Sequence, residues 1–236
     1  MLIKEENFRN LYKTPIIIKN KEFSHQIAQS LQIDSIWEDD ISSDELKEKL
    51  ESIKIDDNIN AILAFPYIDH TSGMSILILS TASINDKDVT INKREDFSVW
   101  SIARKDNINN SEFEYLENLN VNDDFNLGYY NEFISKLDNY HVNNDIEALR
   151  FIEVLDESRN EDFPDDVMVF FIKENCQMER MWVRYENIVE KSFIEGTLLN
   201  TPYQDFGVES GDKVIIFPYK PKEDEDTWVL ICDLNQ

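Results

Sequence analysis

Glycine and proline are scarce, at 5 and 6 of 236 residues. No glycines cluster, so neither a phosphate-cradling Walker loop nor a dinucleotide-binding turn can be built. Only two cysteines occur, Cys176 and Cys232. That excludes a disulfide scaffold and suits a reducing compartment. The three histidines, His25, His70 and His141, are far apart and have no ligand spacing with either cysteine. A structural zinc site needs four close ligands, so no metal is expected, and no cofactor. Cations are few: 23 Lys+Arg face 48 Asp+Glu, a net charge of −25. Affinity for nucleic-acid phosphates rests on Lys and Arg displacing counterions, so neither nucleic acid nor an anionic membrane is a direct ligand. Long apolar runs are missing too. Segments such as 61–65 and 75–79 fall far short of the ~18 residues that a membrane span requires. The opening residues Met-Leu-Ile-Lys-Glu-Glu-Asn-Phe-Arg hold no apolar signal core, so a cytoplasmic location is expected.

What is present is a core. Hydrophobic residues make up 42 %, with 14 Phe, 9 Tyr and 4 Trp, enough to fold despite the charge. Length alone allows one large domain or two small ones. Residues 14–19 carry Ile16-Ile17-Ile18 and read as a strand. Phe23, Ile27 and Leu31 set a helix over 22–32. Ser42 or Ser43 would cap a second helix, with Leu46, Leu50 and Ile53 on one face. Residues 61–67, 74–81, 88–92 and 97–103 read as strands of an antiparallel meander with helices on one face. Phe113, Leu116 and Leu119 suit a short helix, 129–140 another, and 145–158 a longer one capped by Asp145. The polar, Pro-containing run 159–166 reads as a domain boundary. Beyond it five strands are expected, at 167–173, 179–188, 193–199, 212–219 and 227–232. The expected fold class is therefore α+β: a domain over 1–160, built on an antiparallel sheet with flanking helices, then a small β-rich domain over 161–236. Both are acidic: 16 basic against 31 acidic residues, net −15, then 7 against 17, net −10.

In the second domain three stretches stand out. They are Glu179-Arg180-Met181-Trp182-Val183, Gly196-Thr197-Leu198-Leu199-Asn200-Thr201-Pro202, and Gly211-Asp212-Lys213-Val214. Together they resemble the YegJ-like bacterial domain of unknown function, over about residues 165–220. Arg180 stands where many relatives carry His, and the family's Asp-Trp pair is displaced to Asp226-Thr227-Trp228. The resemblance implies a small β-rich or α+β module and a bacterial origin. It brings no established activity, but relatives in toxin-neighbour settings point to binding. Read physically, Gly196 permits close backbone approach or a bend, Asn200 and Pro202 shape a turn, and Gly211 supplies a positive φ. Trp182 is expected in the core, or else presenting an edge to a ligand.

Catalytic constellations fail one by one. There is no Gly-x-Ser-x-Gly elbow. Asp69, His70 and Ser72 are too close in sequence for a relay that is normally assembled from separate elements, so they read as polar loop residues. Residues 120–128 have some of the spacing of a calcium loop, but Phe125 stands where the turn needs glycine and no Glu closes it. No catalytic residue is assigned. Acidic clusters remain, some beside aromatics: Trp37 with Glu38, Asp39 and Asp40; Asp123 with Asp124; and Glu223, Asp224, Glu225 and Asp226 with Trp228. Acidic rims around aromatic anchors have the composition of a binding surface. The expectation is a non-enzymatic immunity protein that occludes a basic toxin partner. A hydrolase-type enzyme with a carboxylate-based site between the two domains is the alternative. A small cationic ligand near Glu179 and Trp182 is a third reading.

Overall fold

Three consecutive β-branched residues, Ile16, Ile17 and Ile18, favour a pleated strand over a helix, and they form β1 (Ile16–Lys19). The structure is a computed structural model describing residues 1–37, 53–94, 101–140, 142–190, 192–221 and 227–235, without the side chains of 33–37 and 139. The helix expected after Ser42 lies largely outside these residues, as does the start of the strand expected at 97–103. The fold is α+β, and the chain divides into two units.

The first unit comprises Met1–Tyr67 and Met74–Asn139. A short helix α1 (Phe8–Leu11) precedes β1, and α2 (Lys21–Trp37) follows it. Asn20 caps α2, its Oδ1 accepting from the Phe23 amide at 3.0 Å. Then come β2 (Ala61–Asp69), β3 (Gly73–Asn85), β4 (Asp88–Ile91), β5 (Ser101–Arg104), helix α3 (Lys105–Ile108), β6 (Glu112–Tyr115), β7 (Asn120–Val121) and helix α4 (Asn131–Ser135). The sheet order is β6-β1-β2-β3-β4-β7, with β5 paired to β3. Two expectations change here. Phe113 lies in a strand rather than a helix, because Glu112–Tyr115 pairs antiparallel with β1, leaving only a 3-10 turn at Leu116–Asn118. At its centre, in β2 and β3, the sheet is also covered on both faces rather than one, whereas β4 keeps the alternation of a single covered face. The first ten residues of β3 are all buried, whereas one covered face would leave alternate residues exposed.

The second unit comprises Ile68–Gly73 and Tyr140–Gln236. Helix α5 (Asn144–Arg150) leads into β8 (Asp166–Ile172), β9 (Glu179–Glu190), β10 (Phe193–Leu198), β11 (Lys213–Tyr219) and β12 (Val229–Asp233). Each strand pairs antiparallel with the next. In an alternating series of five, the first and last run the same way. The sheet therefore closes through a parallel β12–β8 pair into a barrel. Inward positions alternate along the strands: Val167, Val169 and Phe171, then Met181, Val183 and Tyr185, then Val214 and Ile216, with Cys232 from β12. Gly196 faces inward where a Cβ would overlap Val183 and crowd the Arg184 carbonyl, and the register shifts just before it. Gly211 has φ +98°, as its turn requires.

The unit boundary falls at Asn139/Tyr140, not at 160, because Ile146, Leu149 and Leu155 belong to the barrel's core. The helix expected over 145–158 is also interrupted. Asn143, not Asp145, caps α5, accepting from the Ile146 amide at 2.8 Å. The helix stops at Arg150, and a 3-10 turn, Glu153–Ser158, follows. Arg159 Nη2 donates to the Leu149 carbonyl at 2.6 Å and to the Ile152 carbonyl at 3.3 Å. A side chain thus adds a donor to two carbonyls at and just past the helix end, which also accept from the Ile152 and Leu155 amides at 3.2 Å each.

Candidate functional site

The segment expected to be a boundary holds the most buried carboxylate of the second unit's described residues. Asp165 is 2 % exposed and Arg150 1 %. Arg150 reaches Asp165 twice, Nε to Oδ1 at 2.9 Å and Nη2 to Oδ2 at 2.7 Å. Tyr185 OH donates to Asp165 Oδ1 at 2.8 Å and accepts from Arg159 Nη1 at 2.9 Å. His70, from the tip between β2 and β3, sets Nδ1 2.8 Å from Asp165 Oδ2 and Nε2 3.2 Å from Glu186 Oε2. Glu186 also accepts from Thr197 Oγ1 at 2.8 Å, and Lys213 Nζ stands 3.4 Å away. Alongside, Arg184 holds Asp166 through two contacts, at 2.7 and 2.9 Å.

Local structure puts each group in place. Arg150 follows Leu149 on the face of α5 that meets the barrel. Tyr185 takes an inward position of β9, and Glu186 the next, outward one. Asp69 forms the tip, its Oδ1 accepting from the Thr71 and Ser72 amides at 2.9 Å each. This separates Asp69 from His70, so no Ser72-His70-Asp69 relay assembles. His70 with Asp165 has the first half of a relay, a buried carboxylate on Nδ1. Its Nε2, the atom that would serve as base, faces Glu186 instead of a hydroxyl or thiol. The geometry is that of a lock holding the 68–73 tip in its unit.

Burial pushes the Asp165 carboxyl up, but hydrogen bonds from Arg150, His70 and Tyr185 prevail and hold it at about 2. Burial, reinforced by the Asp165 charge, pushes the Tyr185 hydroxyl well above its ordinary value. Glu186 is lowered: burial opposes this, and Thr197 and His70 outweigh it. A depressed carboxyl contributes stability that is complete above its unfolded value near 4 and is lost as pH falls through its folded value. Asp165 is thus expected to contribute about 2 kcal/mol at pH 5 that disappears towards pH 2. Urea midpoints measured from pH 5 to pH 2 should fall steeply in the wild type and less in Asp165→Asn. Parallel slopes would contradict this assignment.

The residues singled out from sequence fall elsewhere. Trp37 ends α2 with its side chain outside the described residues, which also exclude Glu38, Asp39 and Asp40 and Glu223, Asp224, Glu225 and Asp226. Asp123 and Asp124 are exposed in a turn, and Asp124 lines an open cavity of about 630 Å³ with Phe125 and Tyr129. Trp228 is 37 % exposed, with Lys220 Nζ 6.0 Å from its ring centre. Trp182 is not in the core: it takes an outward, half-buried position in β9, between inward Met181 and Val183. Glu179 is committed to a loop, both carboxylate oxygens accepting from the Tyr203 amide, at 3.0 and 3.3 Å. Sequence reasoning passed over Tyr203, which is 97 % exposed. It also passed over the Arg150–Asp165–His70 cluster. The available signal was a lone Arg next to Leu149 on the apolar stripe of a helix.

Among the described residues no group of His, Cys, Asp and Glu is placed to hold a metal ion. Nor is any helix there long and apolar enough to cross a membrane. No family model, curated protein or solved structure matches the chain.

Proposed function

We propose that this chain is a non-enzymatic binding protein of the immunity type, acting in a reducing bacterial cytoplasm, which occludes the basic cleft of a toxin. One observation carries the reading: the described interior hides none of the net charge. Its buried ionic groups are Arg94, Lys105 and Arg150 against Asp69, Asp165 and Asp166, three of each sign. Buried groups of the described residues therefore offset none of the net charge of −25. Self-repulsion on that scale opposes folding, and solubility needs far less. A basic partner accounts for it, and the acids would steer association with a cleft that handles nucleic acid or phosphate. Asp123, Asp124 and Trp228 are exposed and suited to such contacts. Both cysteines are free, as a reducing compartment requires. The stretches that resemble the YegJ-like domain lie on the barrel, in β9, β10 and the entry to β11, which favours the barrel as the binding module.

The test is capture at low salt with tagged full-length chain, then co-production of the captured protein with it. The reading predicts a basic partner, released by salt, whose toxicity to growth is abolished by the chain. If the chain itself turned over a substrate, and single carboxylate substitutions abolished turnover while leaving capture intact, the hydrolase alternative would replace it.

A further inference from the structure

Strand β11 departs from the pattern of a barrel strand with one wet face. Val214 and Ile216 point into the core, yet the outward positions Ile215, Phe217 and Tyr219 are apolar as well. Ile215 and Tyr219 are 42 % and 46 % exposed. Phe193 of β10 is 37 % exposed, its ring centre 5.6 Å from that of Phe217. Tyr219 pairs with Val229, an outward position of β12. The apolar surface therefore runs across β10, β11 and the start of β12. Exposed apolar residues scattered singly carry no message, but a contiguous set on adjacent strands marks an interaction surface. Nothing inside the barrel needs these side chains, since its core is filled by the inward set.

We propose that this face, formed by Phe193, Ile215, Phe217 and Tyr219 with Val229 at its edge, is where the partner docks. The partner presents an apolar segment bordered by Lys or Arg. This deepens the binding reading above and rests on it. Charge selects the occupant. A second copy would bring two bodies of −25 together, so the face does not fit self-association. Within the face Glu195 pairs with Ile215 across β10–β11 and adds a carboxylate for the partner's cations. The lysines at the two ends of β11 have contacts of their own: Lys213 with Glu186 and Thr197, Lys220 with the Trp228 ring. Aromatic anchors packed beside a carboxylate are the arrangement in which a few residues carry most of the binding energy.

The decisive experiment replaces single residues of the full-length chain with photo-crosslinking benzoylphenylalanine in the producing cells. The positions are Ile215 and Tyr219 on the face, Tyr203 in the loop at the opposite end of the β10–β11 pair, and Asp124 in the first unit. The expected result is a basic protein joined at Ile215 and Tyr219 at least about tenfold more than at Tyr203, with the yield at Ile215 cut about tenfold by Phe217→Lys. Should Phe217→Lys lower the melting temperature, Ile215→Glu, read from Tyr219, takes its place. A basic protein joined from Tyr203 or Asp124 but not from the face overturns the docking site and leaves the binding reading standing. Crosslinking to a second copy at Ile215 also overturns it. No basic protein from any of the four positions removes the binding reading itself.

Discussion

Replacing Arg150 with methionine is expected to lower the stability of the barrel unit by about 3–5 kcal/mol. The side chain is 1 % exposed, and its two contacts with Asp165 are the largest favourable influence on that carboxyl. Methionine fills the space but leaves a carboxylate 2 % exposed without its main counter-charge. His70 and Tyr185 would still donate to it, so the loss is large but partial. Adding Asp165→Asn to Arg150→Met should recover part of the loss, because the orphaned charge is then gone. Arg180→Met supplies the contrast. Arg180 is exposed on the outer face of β9, where such a change is usually worth no more than about 0.5 kcal/mol. Urea unfolding, with amide exchange in β8 and β9 reporting on the barrel, decides the matter. An Arg150→Met loss no larger than that of Arg180→Met would dissolve the claim that this cluster holds the unit together.

Gly73→Ala is expected to cost about 2–4 kcal/mol, from two effects that add. Gly73 has φ +77°, a region that L-residues enter at a cost of about 1–2 kcal/mol. A Cβ there would also overlap the backbone oxygen of Asp162 and press on the Phe163 ring. Backbone on that side cannot yield cheaply, because Asn160 Oδ1 already accepts from the Asp162 and Phe163 amides at 3.0 and 3.2 Å. The substitution therefore pushes the 68–73 tip off its seat and strains the two contacts of His70. Faster exchange of the Thr71 and Ser72 amides, which Asp69 now binds, would register it. Gly211→Ala isolates the backbone part: φ is +98° there, but no atom lies within 4 Å of the added carbon. Equal losses at the two glycines would mean that the close approach at Gly73 carries no energy.

The barrel strands were legible because each carries the period that its environment imposes. Val167, Val169 and Phe171 alternate inward, as do Met181, Val183 and Tyr185. Closure was not legible, since it depends on pairing β8 with β12, whose residues are remote in sequence. The same distance hid the charged cluster: His70 lies 95 residues from Asp165 and 116 from Glu186. The polarity of 159–166 was misleading for a related reason. A polar segment reads as a surface linker unless its partners are visible, and here they are Arg150, His70 and Tyr185. Trp182 shows the limit of burial tendencies by residue type, because its place in the β9 alternation puts it outward. Of the binding residues named from sequence, Asp123, Asp124 and Trp228 are exposed, while the carboxylate of Glu179 is spent on the Tyr203 loop.

If the acidic charge serves to meet a cationic partner, as proposed, salt must slow their association. Stopped-flow measurement of the association rate with the captured partner tests it most directly. Ionic strength would run from about 0.01 to about 1 M, over which the Debye length shrinks from about 30 to about 3 Å. The expected association rate constant falls by at least about a hundredfold over that range, with a much smaller change in dissociation. An association rate indifferent to salt would contradict it.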